Sequence, residues 1–441
     1  MTFEALGKSG AEQEKADAAG SITPAALAAY GAMAFPLAFA GLPIYLHAPD
    51  FYAVTLNQPV AVLGTVLLAL RLVDALQDPL IGSLSDRFHR SRQVVLIIGA
   101  ALLGIGLWML FHPLAATPLL WFAASVLICT TGYSVVSINF QALGGLWRVG
   151  SEDRTRVTAG REAFGLAGLL VASVLPPFLA ANSSYAEAFH WLTLGYLPLL
   201  AAASWLLLRW MRTASIAAPA GNRNDPGWWQ LLRDRWRAFF FALLFLNLLA
   251  SAIPAVLVLF FIRDRLGAET YTGLFLLTYF LAGVLSMPLW TRLARRFGKL
   301  RTWQFSLGTA ILTFCWAALL QEGDLAAYAV VCALSGLALG ADLALPPAIL
   351  ADHIDAESRQ GEAGRLFAVM AFLSKSALAL ATGMALPLLG GFGYEPGEAM
   401  TPELGILLSV TYAGLPCVLK LLALVGLIFF EKDLALDKAP M

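Results

Sequence analysis

From Pro24 almost to Glu431 the chain runs in long apolar windows separated by short polar breaks. A helix needs about 20 mainly apolar residues to cross a bilayer core. Twelve windows reach that length, near 25–48, 58–86, 93–113, 117–146, 156–181, 186–211, 236–263, 268–296, 302–320, 325–351, 363–390 and 405–430. Several are longer than the lipid requires, which predicts tilt or extension into water. The runs lack the strict alternation of a membrane strand, and an open sheet edge cannot face hydrocarbon. The pattern therefore predicts an all-α polytopic membrane protein with twelve transmembrane helices.

Composition agrees. Of 441 residues, 59% are hydrophobic and 13% charged, against about 25% charged in a soluble domain. Equal numbers of acidic and basic residues, 29 of each, leave no basic surface for nucleic acid. Cys129, Cys315, Cys332 and Cys417 all lie inside apolar runs without CxxC or His-linked spacing, which argues against zinc, redox or disulfide chemistry. Met1 to Thr23 lacks a basic segment followed by a short apolar core, so a cleavable leader is not expected and residues 1–23 read as an N-terminal tail.

Charge also orients the chain. Arg87, Arg90 and Arg92 follow the second window, Arg148, Arg154 and Arg156 the fourth, and a basic cluster the eighth, while the loops after windows 1, 3, 5, 9 and 11 carry no Lys or Arg. Only Arg263 and Arg265 break the pattern. The positive-inside rule then puts both termini and the central linker in the cytoplasm. The expected organisation is a bundle of six helices over 24–211, a linker over 212–235, a second bundle over 236–431 and a tail over 432–441. The halves share a signature. Pro79-Leu80-x3-Leu84-x2-Arg87-Phe88-x3-Arg92 recurs as Pro288-Leu289-x3-Leu293-x2-Arg296-Phe297-x3-Arg301, each member displaced by 209 residues. Fused halves of this kind are one transporter architecture, with the substrate site between them near the bilayer midplane.

The second window holds Arg71, Asp74 and Asp78, which share one helix face with Gly82. Each such charge costs about 2.5–3.5 kcal/mol to insert, so the three need a wet cavity or partners on other helices. Lys375, deep in the eleventh window, is the candidate counter-charge, and Arg71 is the second candidate coupling residue. Two carboxylates four residues apart, with the Gln77 amide and a hydroxyl from a neighbouring helix, could ligate a hard cation such as Na⁺. The same pair could instead hold a proton. Lys375 would compete with either. Asp86, Arg87, Arg90 and Arg92 lie at the end of the window, where they suit helix latching and topology.

These residues resemble a known family. Gly82-x-Leu84-x-Asp86-Arg87-x2-Arg90-x-Arg92 resembles the loop 2–3 signature of the major facilitator superfamily. Asp74-Ala75-x2-Asp78-Pro79-x2-Gly82 resembles the cation-site motif of the glycoside-pentoside-hexuronide cation symporters, the melibiose permease-like group that also contains lysolipid symporters. The order continues through Asp352-x-Ile354-Asp355, Gly364-Arg365, Lys375-x-Ala377-Leu378 and Gly393-Tyr394. The resemblance implies a major facilitator fold and alternating-access symport with Na⁺ or H⁺, without any other cofactor. It implies cation ligands at Asp74, Asp78, Gln77 and Ser134, coupling at Lys375, and a basic residue of the gate and substrate path at Arg161.

The sequence departs from that family at the residues that hold sugar. Pro36 and Ser137 stand where sugar-transporting members have carboxylates, so an amphiphile such as a lysolipid is the expected substrate, with a sugar or glycoside as the alternative. Tyr133, Ser137 and Gln141 follow at steps of four on one face of the fourth window and are the further cavity candidates. Asp342 reads either as a second-half cavity acid or as a partner for loosened backbone, and Lys420 as a snorkelling or structural residue. The chain is expected to act as a monomer in a cell membrane, the inner membrane if the source is prokaryotic. A rival class, a membrane-embedded enzyme acting on lipid, lacks any HExxH, GxSxG or His/Asp cluster.

Overall fold

The computed structural model describes residues 22–114, 116–180, 184–217, 227–357, 359–394 and 401–434. Joined across short π and 3-10 turns, the described helices form twelve long segments. They are α1 (Pro24–Leu56), α2 (Val60–Arg87), α3 (Arg92–Phe111), α4 (Pro118–Leu146), α5 (Ser151–Ala180) and α6 (Tyr185–Thr213), then α7 (Arg235–Arg265), α8 (Thr272–Phe297), α9 (Lys299–Phe314, continued by a 3-10 turn at Cys315–Leu319), α10 (Leu325–Ala356), α11 (Ala363–Gly391) and α12 (Pro402–Phe429). Ten of the described helices are long and apolar enough to cross a membrane. The other two of the twelve are α2, which carries the intramembrane charges, and α9, whose last turn tightens. No strand occurs among the described residues; the chain pairs once in extended form, Trp147 against Ile216, where the loop after α4 meets the start of the linker.

The helix boundaries have local causes. The Thr23 hydroxyl accepts from Ala26 N ahead of Pro24, Ser184 and Glu187 form a reciprocal capping box, and Thr401 accepts from Leu404 N ahead of Pro402. Each satisfies amides that a helix start leaves open. Along α2, Leu68, Leu72, Leu76, Leu80 and Leu84 are exposed at steps of four, a lipid-facing stripe, while Asp74 and Asp78 on the other side are buried. Intimate packing uses glycine. A Cβ at Gly132 of α4 would lie 2.3 Å from Leu103 N in α3, and one at Gly168 of α5 would lie 2.2 Å from Phe35 O in α1.

One large apolar cluster lies entirely within α1–α6 and their adjoining turns, and another entirely within the second six. Smaller clusters join the halves: Ile81, Ile138 and Ala368 between α2, α4 and α11, and Ala159, Leu166, Met287 and Ala344 between α5, α8 and α10. The halves also meet in polar contacts at the end that carries the basic loops. Asp86, closing α2, accepts from Gly364 N at 2.6 Å and from Arg365 N at 2.9 Å at the start of α11. Arg154 of α5 donates to Asp352 at 3.0 Å and reaches Asp355 at 2.9 Å, both near the end of α10. Lys299 of α9 binds Asp352 within the second half and crosses to the first by donating to Ser151 Oγ at 3.0 Å. At the opposite end His112 and His190 bond within the first half, and Tyr394 and Asp264 within the second.

The 209-residue repeat is visible in these contacts with its charge inverted. Arg295 occupies the position of Asp86 and binds Asp153 at 2.7 Å, at the start of α5. Lys420 does not snorkel. It donates to Asp342 and to Asn247, each at 2.7 Å, because α7, α10 and α12 enclose it. Asp342 also accepts from Trp303 Nε1 at 3.3 Å, so it serves side chains rather than loosened backbone.

Replacing Gly132 by Val drives a side chain into the α3 backbone, and overpacking of this kind costs about 1–3 kcal/mol. The expected outcome is a lower thermal midpoint in detergent for Gly132→Val. Gly195→Ala, where an added Cβ meets nothing within 4 Å, should leave the midpoint unchanged or slightly raised.

Candidate functional site

Asp74 and Asp78 sit one turn apart on α2, and their carboxylates turn inward because the leucine stripe takes the lipid side. Both are buried, at 3% and 0% exposure. Lys375 comes from α11 in the other half and places Nζ 2.9 Å from Asp74 Oδ1, 2.8 Å from Asp78 Oδ1, 3.2 Å from the Asp74 carbonyl and 2.7 Å from Ser134 Oγ. Its ammonium is thus enclosed by four oxygens from α2 and α4. Ser134 donates to Asp74 Oδ1 at 3.1 Å, and Gln77 Nε2 donates to the same oxygen at 2.9 Å. Asp78 Oδ2 is buried and receives no hydrogen bond from any described group.

Two residues that the sequence pattern did not single out complete this cluster. Tyr45 lies in the π turn Pro43–His47 of α1 and donates to Asp74 Oδ2 at 3.3 Å. Thr131 donates to Gln77 Oε1 at 2.9 Å. Arg71 shares the acidic face by helical spacing yet does not join the carboxylates. Its guanidinium lies 4.7 Å from the centre of the Tyr45 ring, a cation–π contact one turn away along α2. It touches Asp74 only through that tyrosine.

A second polar group lies beside the first. Arg161 of α5 is buried and gives Nε and Nη2 to Glu162 Oε1, at 2.9 and 2.5 Å. The Tyr30 hydroxyl interacts with the same guanidinium and donates to Phe140 O at 3.1 Å. Tyr133 lies close enough to both groups to interact with Asp74 and Asp78 as well as with Glu162 and Arg161. Gln141 donates to Ser137 Oγ at 3.1 Å, so the step-of-four stripe on α4 is partly self-satisfied. Glu162 carried a signal in the sequence, an acid inside an apolar stretch, that spacing rules did not pick out.

The loop 2–3 residues divide. A Cβ on Gly82 would meet Ala368 Cβ at 2.5 Å and Gly364 O at 2.9 Å, so α2 lies flush on α11 there. Asp86 holds the start of α11, and Arg92 is buried, donating to Ser85 O at 3.5 Å. Arg87 and Arg90 are exposed and form no ion pair with a described residue.

Every ligand around Lys375 is oxygen, the donor set that hard cations select. Replacing an ammonium by a cation of the same charge keeps the cluster neutralised. The arrangement can therefore exchange an internal cation for an external one, and in doing so break a contact between the two halves.

A family model described as MFS/sugar transport protein matches residues 27–433. An uncharacterised symporter of Bacillus subtilis (strain 168), YnaJ, is 23% identical over 431 residues, which cover 92% of this chain and 90% of that protein. The inner membrane symporter YicJ of Escherichia coli (strain K12) is 25% identical over 267 residues, 56% of this chain and 55% of the relative. Among solved structures, an outward-facing bacterial homologue of the iron transporter ferroportin aligns with TM-score 0.68 at 19% identity, over 92% of this chain and 99% of its own. The E. coli fucose:proton symporter FucP aligns with TM-score 0.67 at 14% identity, over 91% and 98%. At these identities the likeness to solved structures is one of fold.

Removing the amine while keeping both acids leaves two buried carboxylates without a counter-charge, a loss of about 3–5 kcal/mol. Lys375→Met should lower the thermal midpoint of the purified protein. Adding Asp74→Asn and Asp78→Asn to it should recover much of that loss, a non-additivity measured by comparing this triple variant with Lys375→Met and with the Asp74→Asn/Asp78→Asn pair.

Proposed function

This chain belongs to the MFS/sugar transport protein family, and from that membership we propose a cation-coupled symporter in which Asp74 and Asp78 bind the coupling ion. Membership makes it a multi-pass secondary transporter of the major facilitator superfamily rather than an enzyme, with symporters among its relatives. The observation that carries the finer reading is the Lys375 ammonium within 2.7–3.2 Å of four oxygens on the other half. Entry of Na⁺ or H⁺ displaces that ammonium, Ser134 and Gln77 help hold the ion, and the midpoint tie between α2 and α11 is released. Solute binding then lets the halves rock, with the basic end on the cytoplasmic side. With Asp86 and Arg295 both engaged, the arrangement described above corresponds to the state closed to the cytoplasm.

The solute we propose is neutral and hydroxylated, a sugar or glycoside. An unpaired arginine beside the cation cluster would favour a phosphate or carboxylate, but Arg161 already carries its own carboxylate, and an anionic headgroup would have to break that pair. Glu162 and Arg161 together offer charge-assisted acceptors and donors of the kind a hydroxyl-rich solute needs to replace lost water. They answer the objection raised by Pro36 and Ser137. A lysolipid is the second reading, kept because its tail could use an apolar cavity.

Sealed vesicles containing the protein should accumulate a sugar when a Na⁺ or proton gradient is imposed. Asp78→Asn should abolish that accumulation while the protein remains inserted and folded, and gradient-driven uptake by the variant would overturn the cation assignment. In a screen of sugars, organic acids and lysolipids, Glu162→Gln should raise KM for the accepted sugar at least tenfold. Accumulation of a lysolipid with no sugar response would replace the sugar reading and leave the cation site standing.

A further inference from the structure

Each half ends one helix of the repeat with the pair Arg-Phe, Arg87-Phe88 after α2 and Arg296-Phe297 after α8. In both the aromatic ring is turned outward, at 47% and 42% exposure. The guanidinium lies over it, 6.0 Å from the centre of the Phe88 ring and 5.3 Å from that of Phe297. Neither arginine forms an ion pair with a described residue, although the residues just before them, Asp86 and Arg295, are each engaged across the halves. Arg209, over the exposed ring of Trp205 at 5.5 Å, repeats the build at the same end of α6. A helix C-terminus explains a basic residue there. It does not explain an exposed aromatic platform in each half.

An exposed phenyl ring at the end of an apolar helix can bury itself at the headgroup–acyl boundary. A stacked guanidinium is weakly hydrated, and its free edge presents parallel N–H groups that match two phosphate oxygens. We propose that Arg87-Phe88 and Arg296-Phe297 are paired binding sites for anionic phospholipid, with the phenyl ring among the upper acyl carbons and the guanidinium on the headgroup phosphate. The sites face the leaflet at the basic end, one beside the α2–α11 seam and one beside the α5–α8 seam. The inference needs only that this end meets a bilayer surface, so it stands apart from the cation and sugar readings.

The test compares trace spin-labelled phosphatidylglycerol with spin-labelled phosphatidylcholine in phosphatidylcholine vesicles that hold the full chain. The motionally restricted population around the wild-type protein should favour phosphatidylglycerol, and added salt should weaken the preference. Arg87→Gln together with Arg296→Gln should reduce it, roughly fivefold at each site. An inserted double variant with undiminished preference would overturn the proposal, as would equal restriction of the two lipids by the wild-type chain. Arg87→Lys with Arg296→Lys keeps the charge and loses the flat fork. A reduced preference in that variant supports the stacked site, whereas full retention would assign the attraction to net charge alone and overturn it.

Discussion

Two carboxylates that must be buried at mid-membrane set the terms for the rest of the molecule. Hydrocarbon cannot neighbour them, and one helix cannot neutralise them, so a counter-charge has to arrive from another element. The α2–α11 contact supplies it. Lys375 meets both acids from the opposite half, and flush packing at Gly82 brings the two backbones close enough for the amine to reach. Eight residues further along α2, about 12 Å at helical rise, Asp86 holds the start of the same α11. The ion-pair cluster and the basic-end latch are thus two points on one seam. On the proposed reading, exchange at the first point alters how firmly the second needs to open.

The twofold repeat distributes this job unequally. Asp86 and its partner Arg365 are nearly buried, at 8% and 6% side-chain exposure, while Arg295 and Asp153 are at 40% and 26%. A shielded contact keeps most of its strength in salt, and a wet one does not. Of the two repeat-related latches, the Asp86 contact is therefore the better shielded, while beside Arg295 the start of α5 relies on the buried Arg154–Asp352 pair with α10. Inverting the sign of the latch residue between the halves also makes each latch complementary to its own partner, which disfavours an exchange of partners.

How much of this could be read from the sequence follows from what each feature depends on. Helix positions depend on apolar run length, a local property, so the twelve windows match the twelve segments closely. The meeting of Asp74, Asp78 and Lys375 was legible because uncompensated charge inside an apolar run demands a partner and few candidates existed. Tyr45 was not legible: its reach to Asp74 depends on a π turn in α1 that no residue pattern announces. Arg71 misled because helical spacing fixes a face but not the direction of a long side chain, which here leans onto the tyrosine. For Lys420 the structural alternative holds rather than snorkelling, but its partners were not legible, since Asp342 and Asn247 lie 78 and 173 residues away in sequence.

Glu162 bears on substrate chemistry in the same way. By position it is only the neighbour of an arginine, and a basic residue in a cavity suggests attraction to anions. On the proposed reading the pairing speaks against an anionic solute, because both nitrogens on one edge of Arg161 go to a single Glu162 oxygen. An arginine so satisfied has little free charge to offer, yet its fixed orientation still presents directed hydrogen bonds beside Tyr133. Recognition by geometry rather than by net charge is what discrimination among uncharged, hydroxylated solutes requires. On the proposed reading such a site sits next to the Asp74/Asp78 cluster without conflict, since a neutral solute would not compete with an ion for the carboxylates.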